Sequence, residues 1–200
     1  REVLRSGPFW ILVASFAIGS LAIQGINISL APYVQDLGFG STIVATVLVV
    51  RSASMFVSSP AWGLLGERID RPIVRSVPFV IQGVSCVFFL LASQSSFLWI
   101  AVIINAVGFA GMVLVQEVIL ANYFGRLTLG TVRSTAYPIF TICSAGGPIF
   151  MNIIFDITGS YRLAFIIFIN LFALASLLMW VCWAPRATHH IRPEELDRMP

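Results

Sequence analysis

The sequence predicts an all-α membrane protein that crosses the bilayer six times. Three observations carry that prediction. Six charge-poor apolar stretches, at about 8–34, 41–65, 76–92, 97–123, 134–155 and 163–184, take up most of the 200 residues. An α-helix needs about 20 mostly apolar residues to cross the ~30 Å hydrocarbon core. Hydrophobic residues make up 58% of the chain and charged residues only 10%; a soluble domain carries about 25% charged residues, so a globular protein is excluded. Finally, there is no Lys, and ten of the twelve Arg fall in alternate gaps between the stretches. Cytoplasmic loops retain the excess of basic residues, so both ends of the chain are expected in the cytoplasm, in a multi-pass protein of the plasma (inner) membrane.

Residues 1–7, with Arg1 and Arg5, read as a cytoplasmic linker ahead of span one. The chain opens on Arg1 rather than Met, and its first apolar stretch is too long for a cleavable signal, so a piece of something longer is expected. A short turn at 36–40 leads into span two, which ends at an inner loop bearing Arg68, Arg71 and Arg75. Span three, with 17 residues, is at the short end for a crossing. The turn at 93–96 joins it to span four, and a second inner loop carries Arg126 and Arg133. Span five contains Pro138 and Gly147-Pro148; proline interrupts the helical hydrogen-bond ladder, so Gly147 and Pro148 mark a kink and a candidate gate. Arg162 is the one basic residue on the outer side, just before span six, and 185–200 reads as a polar cytoplasmic tail.

The net charge of +3 sits at helix ends, where it meets anionic lipid headgroups and not nucleic acid. Cys86, Cys143 and Cys182 lie in apolar stretches without metal or disulfide spacing, and His189 and His190 lie in the tail, so neither a metal nor a cofactor is expected. No His lies within a span, which leaves no Ser–His pair for an intramembrane enzyme.

Arg51 is the residue that needs a reason. It lies ten residues into span two, ~15 Å below the surface, where a cation costs several kcal/mol unless it is paired or faces water. The chain has no acid at that depth, so the partner is either an anionic substrate or an acid elsewhere. Ser54 continues the polar stripe one turn on. In span one Gln24 and Asn27 recur with Ser20 at helical spacing; span four contributes Asn105; span five contributes Tyr137, Thr141 and Ser144 on one face. Spans one, two, four and five are therefore expected to enclose a polar cavity, with the nearly pure apolar spans three and six outside it. Glu117 is either a protonatable coupling residue or a partner for the loop arginines.

Some of these residues carry a family resemblance. The run from Gly63 through Glu67, Arg68, Asp70 and Arg71 resembles the G-x-L-x-D-R-x-G-R loop of the major facilitator superfamily, with Glu67 in place of Asp and Asp70 in place of Gly. The segment from Tyr123 to Arg133 is similar to that superfamily's loop between helices ten and eleven, and Gly146 through Phe165 to its last two helices. The resemblance implies a C-terminal half, a 3+3 inverted repeat, whose missing N-terminal six-helix half completes a midplane site. It also implies that Gly63, Glu67, Arg68, Asp70 and Arg71 act in cytoplasmic gating. An Arg midway along the eighth helix is similar to the monocarboxylate and oxalate–formate groups, in which it clamps a carboxylate. Val47 stands where monocarboxylate carriers place an Asp, and span five lacks the Lys of oxalate carriers.

The function implied is secondary transport of a small organic anion, a monocarboxylate, by alternating access, with a coupling proton or counter-anion. Arg51, Gln24, Asn27, Ser54, Asn105, Tyr137, Thr141 and Ser144 are the expected substrate contacts. The alternatives are a same-fold carrier of a neutral or amphipathic solute, with Arg51 paired to an acid elsewhere, and a non-transporting receptor or subunit.

Overall fold

A computed structural model describes residues 7–68, 71–92 and 94–181, the side chains at 123–129 and 131 excepted. Asp70, Cys182, His189, His190 and the tail lie outside the described residues. The described chain is helical throughout: α1 (Gly7–Asp36), α2 (Ser41–Gly66), α3 (Pro72–Leu90), α4 (Ser95–Thr158) and α5 (Arg162–Val181). Within them are six segments long and apolar enough to cross a membrane, because α4 contains two: Ser95–Asn122 and Val132–Thr158.

Two local differences from the sequence reading have clear causes. α3 starts at Pro72, four residues earlier than expected, and so reaches 19 residues. Proline in the first turn forgoes no hydrogen bond there and presets the helical φ, while Arg71 supplies an extended N-cap. Arg75 thereby leaves the loop and is buried in the first turns of α3. The second difference is the expected loop at 124–133, whose backbone stays helical. The axis nonetheless reverses: Arg133 pairs with Glu117, 16 residues away, whereas a straight helix would hold them ~24 Å apart. α4 is thus two arms, an N-terminal one and a C-terminal one, lying side by side. Gly159, at a φ of 66°, ends the second arm in the left-handed conformation that glycine adopts without strain.

α1 packs chiefly against α4, and α3 against both α5 and α4; α2 rests on α4 with little contact to α1. In lipid no hydrophobic force drives helices together, so close backbone approach matters. At Gly147 in the second arm of α4, an added Cβ would lie 2.0 Å from the Leu21 carbonyl oxygen and 2.7 Å from the Gly25 amide nitrogen. The two backbones touch there, and the Phe168 ring of α5 covers Gly25. The core around this crossing is aromatic, with Phe9, Phe16, Phe79, Phe89, Phe165, Phe168 and Phe172 fully buried.

α2 is the least buried crossing, with Val49, Phe56, Val57 and Leu64 exposed, and the second arm of α4 similarly exposes Ile142, Ile149 and Ile157. α3, expected as an outer helix, is half buried. One face of it, with Gln82 and Ser85, is completely enclosed.

Candidate functional site

Arg51 is carried to mid-span by α2, and its guanidinium reaches two other helices. Its Nε donates to Asn105 Oδ1 of α4 at 3.2 Å, and its Nη2 donates to Asn27 Oδ1 of α1. Each asparagine passes the polarity on. Asn27 Nδ2 donates to Gln24 Oε1 at 2.7 Å, one turn up the same helix. Asn105 Nδ2 donates to Gln82 Oε1 of α3 at 2.8 Å, and Gln82 Nε2 returns a 3.0 Å bond to the Asn105 carbonyl. The network joins α1, α2, α3 and α4 around one cation.

The direction of every bond follows from that cation. A guanidinium has five donors and no acceptor, so both asparagines must turn their oxygens to it and their amide nitrogens away. Glutamine oxygens then receive those nitrogens. Chains of this kind polarise one another in a low-dielectric interior. The Phe109 ring, four residues beyond Asn105 on the same helix face, lies with its centroid 5.3 Å from the Arg51 guanidinium carbon. A ring face at that distance attracts the cation.

What the network lacks is negative charge. Arg51 takes part in no ion pair among the described residues; the pair they form is Arg133 with Glu117. Amide oxygens and a ring face lower the cost of burying the cation without cancelling its charge.

Of the expected contacts, Gln24, Asn27 and Asn105 therefore join Arg51. Ser54, one turn along α2, is partly buried. Thr141 and Ser144 bond back to their own helix, to the carbonyls of Tyr137 and Thr141. Such back-bonding is the usual local outlet for hydroxyls in a membrane helix. Tyr137 belongs to a different cluster: its hydroxyl donates to Glu117, which also pairs with Arg133. It shares a helix face with Thr141 and Ser144, yet seven residues put it ~10 Å from Ser144 along the axis.

Three residues were missed from sequence. Gln82 is masked in the sequence by an otherwise apolar span, although an amide inside a membrane helix is itself a signal that a partner exists. Phe109 could be found only once Asn105 was placed. Trp62 is the third: its indole donates to the Val107 carbonyl at 2.9 Å, and its ring lies over Gly111, where a Cβ would come within 2.5 Å.

At the arginine-rich end, Gly63, Glu67 and Arg68 are exposed, and Arg71 forms the N-cap of α3. Glu67 makes no ion pair with Arg68 or Arg71. Gly147 and Pro148 are buried, with Gly147 at the α1 crossing.

The chain matches the family model for the Major Facilitator Superfamily over residues 1–198. No curated protein matches it. Members of this family are secondary transporters rather than enzymes, and they bind small solutes within the bilayer. With six membrane-length helices, no strand among the described residues, and a match across nearly its whole length, this chain belongs to the major facilitator superfamily.

Proposed function

We propose that this transporter carries a small organic anion, a monocarboxylate, by alternating access, with Arg51 as the clamp for the carboxylate. The carrying observation is the guanidinium held at mid-span by two neutral amide oxygens and no carboxylate. Nε and one Nη2 hydrogen are engaged, which leaves the Nη1 hydrogens and the second Nη2 hydrogen to donate to a carboxylate, the partner that guanidinium favours. Asn27 and Asn105 fix the plane of the guanidinium, and Gln24 and Gln82 fix the asparagines. Ser54, Thr141 and Ser144 would line the path of the anion.

In this reading the chain is one half of a twelve-helix carrier, and the exposed apolar faces of α2 and the second arm of α4 meet the other half. The arginine-rich end faces the cytoplasm. Glu67, Arg68, Asp70 and Arg71 act there in gating, and a proton or counter-anion couples transport. If Arg51 instead meets an acid of the other half, the solute is neutral or amphipathic.

Counterflow of labelled lactate, pyruvate, formate and oxalate into proteoliposomes containing the complete gene product tests the proposal. Uptake of a monocarboxylate that is lost in Arg51→Gln, with insertion and folding retained, is the expected result. Uptake indifferent to Arg51, or none of any anion, refutes the clamp.

A further inference from the structure

The end of the bundle opposite the arginine-rich loops holds a cavity of about 520 Å³, well within the size range of small-molecule sites (about 300–1,000 Å³). It lies between the ends of α1, α3, α4 and α5, far along the helices from Arg51. Six of its fourteen lining residues are aromatic. Tyr33 meets Phe89, Tyr161 and Phe165 edge to face, and its hydroxyl donates to the Phe89 carbonyl at 2.6 Å. This framework is rigid, because Tyr33, Phe89, Tyr161 and Phe165 are all buried.

Two opposite charges line the same cavity, Asp36 and Arg162, and they form no ion pair with each other or with any other described residue. Nor do they serve their helices. Asp36 is the last residue of α1 and Arg162 the first of α5. An acid at a helix C-terminus and a base at an N-terminus are each on the unfavourable side of the helix dipole. Asp36 and Asp156 both lie near enough to the Tyr161 phenol to help hold it protonated, after burial itself, so the Asp36 side of the cavity is the negative one. Charges that stabilise neither helix and leave each other unpaired across an aromatic cavity match a ligand that carries both signs. An anion alone would be repelled by Asp36 and Asp156, and a cation alone would leave Arg162 without a partner.

We propose that this cavity is a second binding site, independent of the Arg51 network, for a zwitterion whose ammonium faces Asp36 and whose oxyanion faces Arg162. The aromatic wall receives the short apolar part between or beside the two charges. A zwitterionic phospholipid headgroup and a free zwitterion of the same size share this chemistry. The site stands whether or not the transported solute is a monocarboxylate.

Native mass spectrometry of the complete gene product, purified from nanodiscs of phosphatidylethanolamine or of phosphatidylglycerol, tests the lipid form. Calorimetric titration of the delipidated protein with glycerophosphoethanolamine tests the free form. Retention of phosphatidylethanolamine but not phosphatidylglycerol, or saturable binding of glycerophosphoethanolamine, is expected in at least one arm. Asp36→Asn and Arg162→Gln should each weaken it about tenfold, the worth of one charge-assisted hydrogen bond. Lipid retention that excess glycerophosphoethanolamine does not displace assigns the headgroup; displacement assigns the free zwitterion. The exchanged double variant Asp36→Arg with Arg162→Asp keeps both charges and should recover part of the binding, which a folding defect would not. Equal retention of both lipids with no binding of the soluble probe, or binding unmoved by both single substitutions, overturns the proposal.

Discussion

Gly147→Ala is expected to be the most damaging single-methyl change in this bundle, and the cause is the backbone itself. The added Cβ would lie 2.0 Å from the Leu21 carbonyl oxygen, where contacts under 3.0 Å do not occur, so α1 and α4 must part by about 1 Å. No rotamer change relieves the clash, because the opposing atoms are main chain. A gap of that size forfeits a quarter to a half of the dispersion energy of each contact it opens. Overpacking of this kind costs about 1–3 kcal/mol, and here it falls on a crossing that includes Gly25 and the Phe168 ring above it. The neighbouring residue is the control: a Cβ at Gly146 meets nothing within 4 Å. Gly146→Ala should be neutral or slightly stabilising, since alanine is the better helix former by up to about 1 kcal/mol. The assay is reversible unfolding in mixed micelles, with the midpoint followed by tryptophan fluorescence. A Gly147→Ala midpoint equal to the parent's, or equal losses at both glycines, would refute the backbone crossing.

Asn105→Asp places a carboxylate beside Arg51, and the expected result is at least about a tenfold rise in the anion concentration needed for half-maximal uptake, because the clamp is occupied; unchanged uptake kinetics would count against Arg51 as the anion site. Gln82→Leu strips Asn105 Nδ2 and the Asn105 carbonyl of their partner on α3 and should cost about 0.6–2 kcal/mol in the same unfolding assay. An unchanged midpoint would show that the α3–α4 amide pair contributes nothing. Tyr161 is held protonated to unusually high pH: burial first, then the Asp36 charge and hydrogen bond, then Asp156, push its pKa from 10.0 up to about 12. Its contribution to stability is therefore full below pH 10 and lost as the pH rises through about 12. Ultraviolet titration near pH 11 should show nearly the same tyrosinate count in the parent and in Tyr161→Phe, and one tyrosinate more in the parent, the sign of a phenol that titrates normally, would contradict the burial of Tyr161 beside Asp36.

The depth of each polar residue was legible in the chain, but its partners were not. Rise per residue is constant along a helix, so counting from the span ends puts Arg51 at mid-membrane with no further information. The same counting gave a common polar stripe in span five, and that stripe turned out to hold two separate environments. Tyr137 hydrogen-bonds Glu117, while Thr141 and Ser144 bond their own backbone. Gln82 shows the opposite error. Average hydropathy hid a single amide whose significance depends on what faces it, and Asn105 lies on a helix 23 residues away in the chain.

By itself the sequence determined the class of protein, the six crossings, the asymmetric distribution of arginine, and the solitary cation at mid-membrane. These are one-dimensional quantities, set by composition, segment length and a fixed helical rise. Only the tertiary structure decided that Asn27 and Asn105 hold the guanidinium, that α3 joins the polar network through Gln82, and that Asp36 and Arg162 face one aromatic cavity. Those outcomes depend on how each helix is rotated about its axis and where it crosses its neighbours. Both are set by side-chain and backbone contacts between distant residues, such as Gly147 against Leu21, which no local pattern encodes.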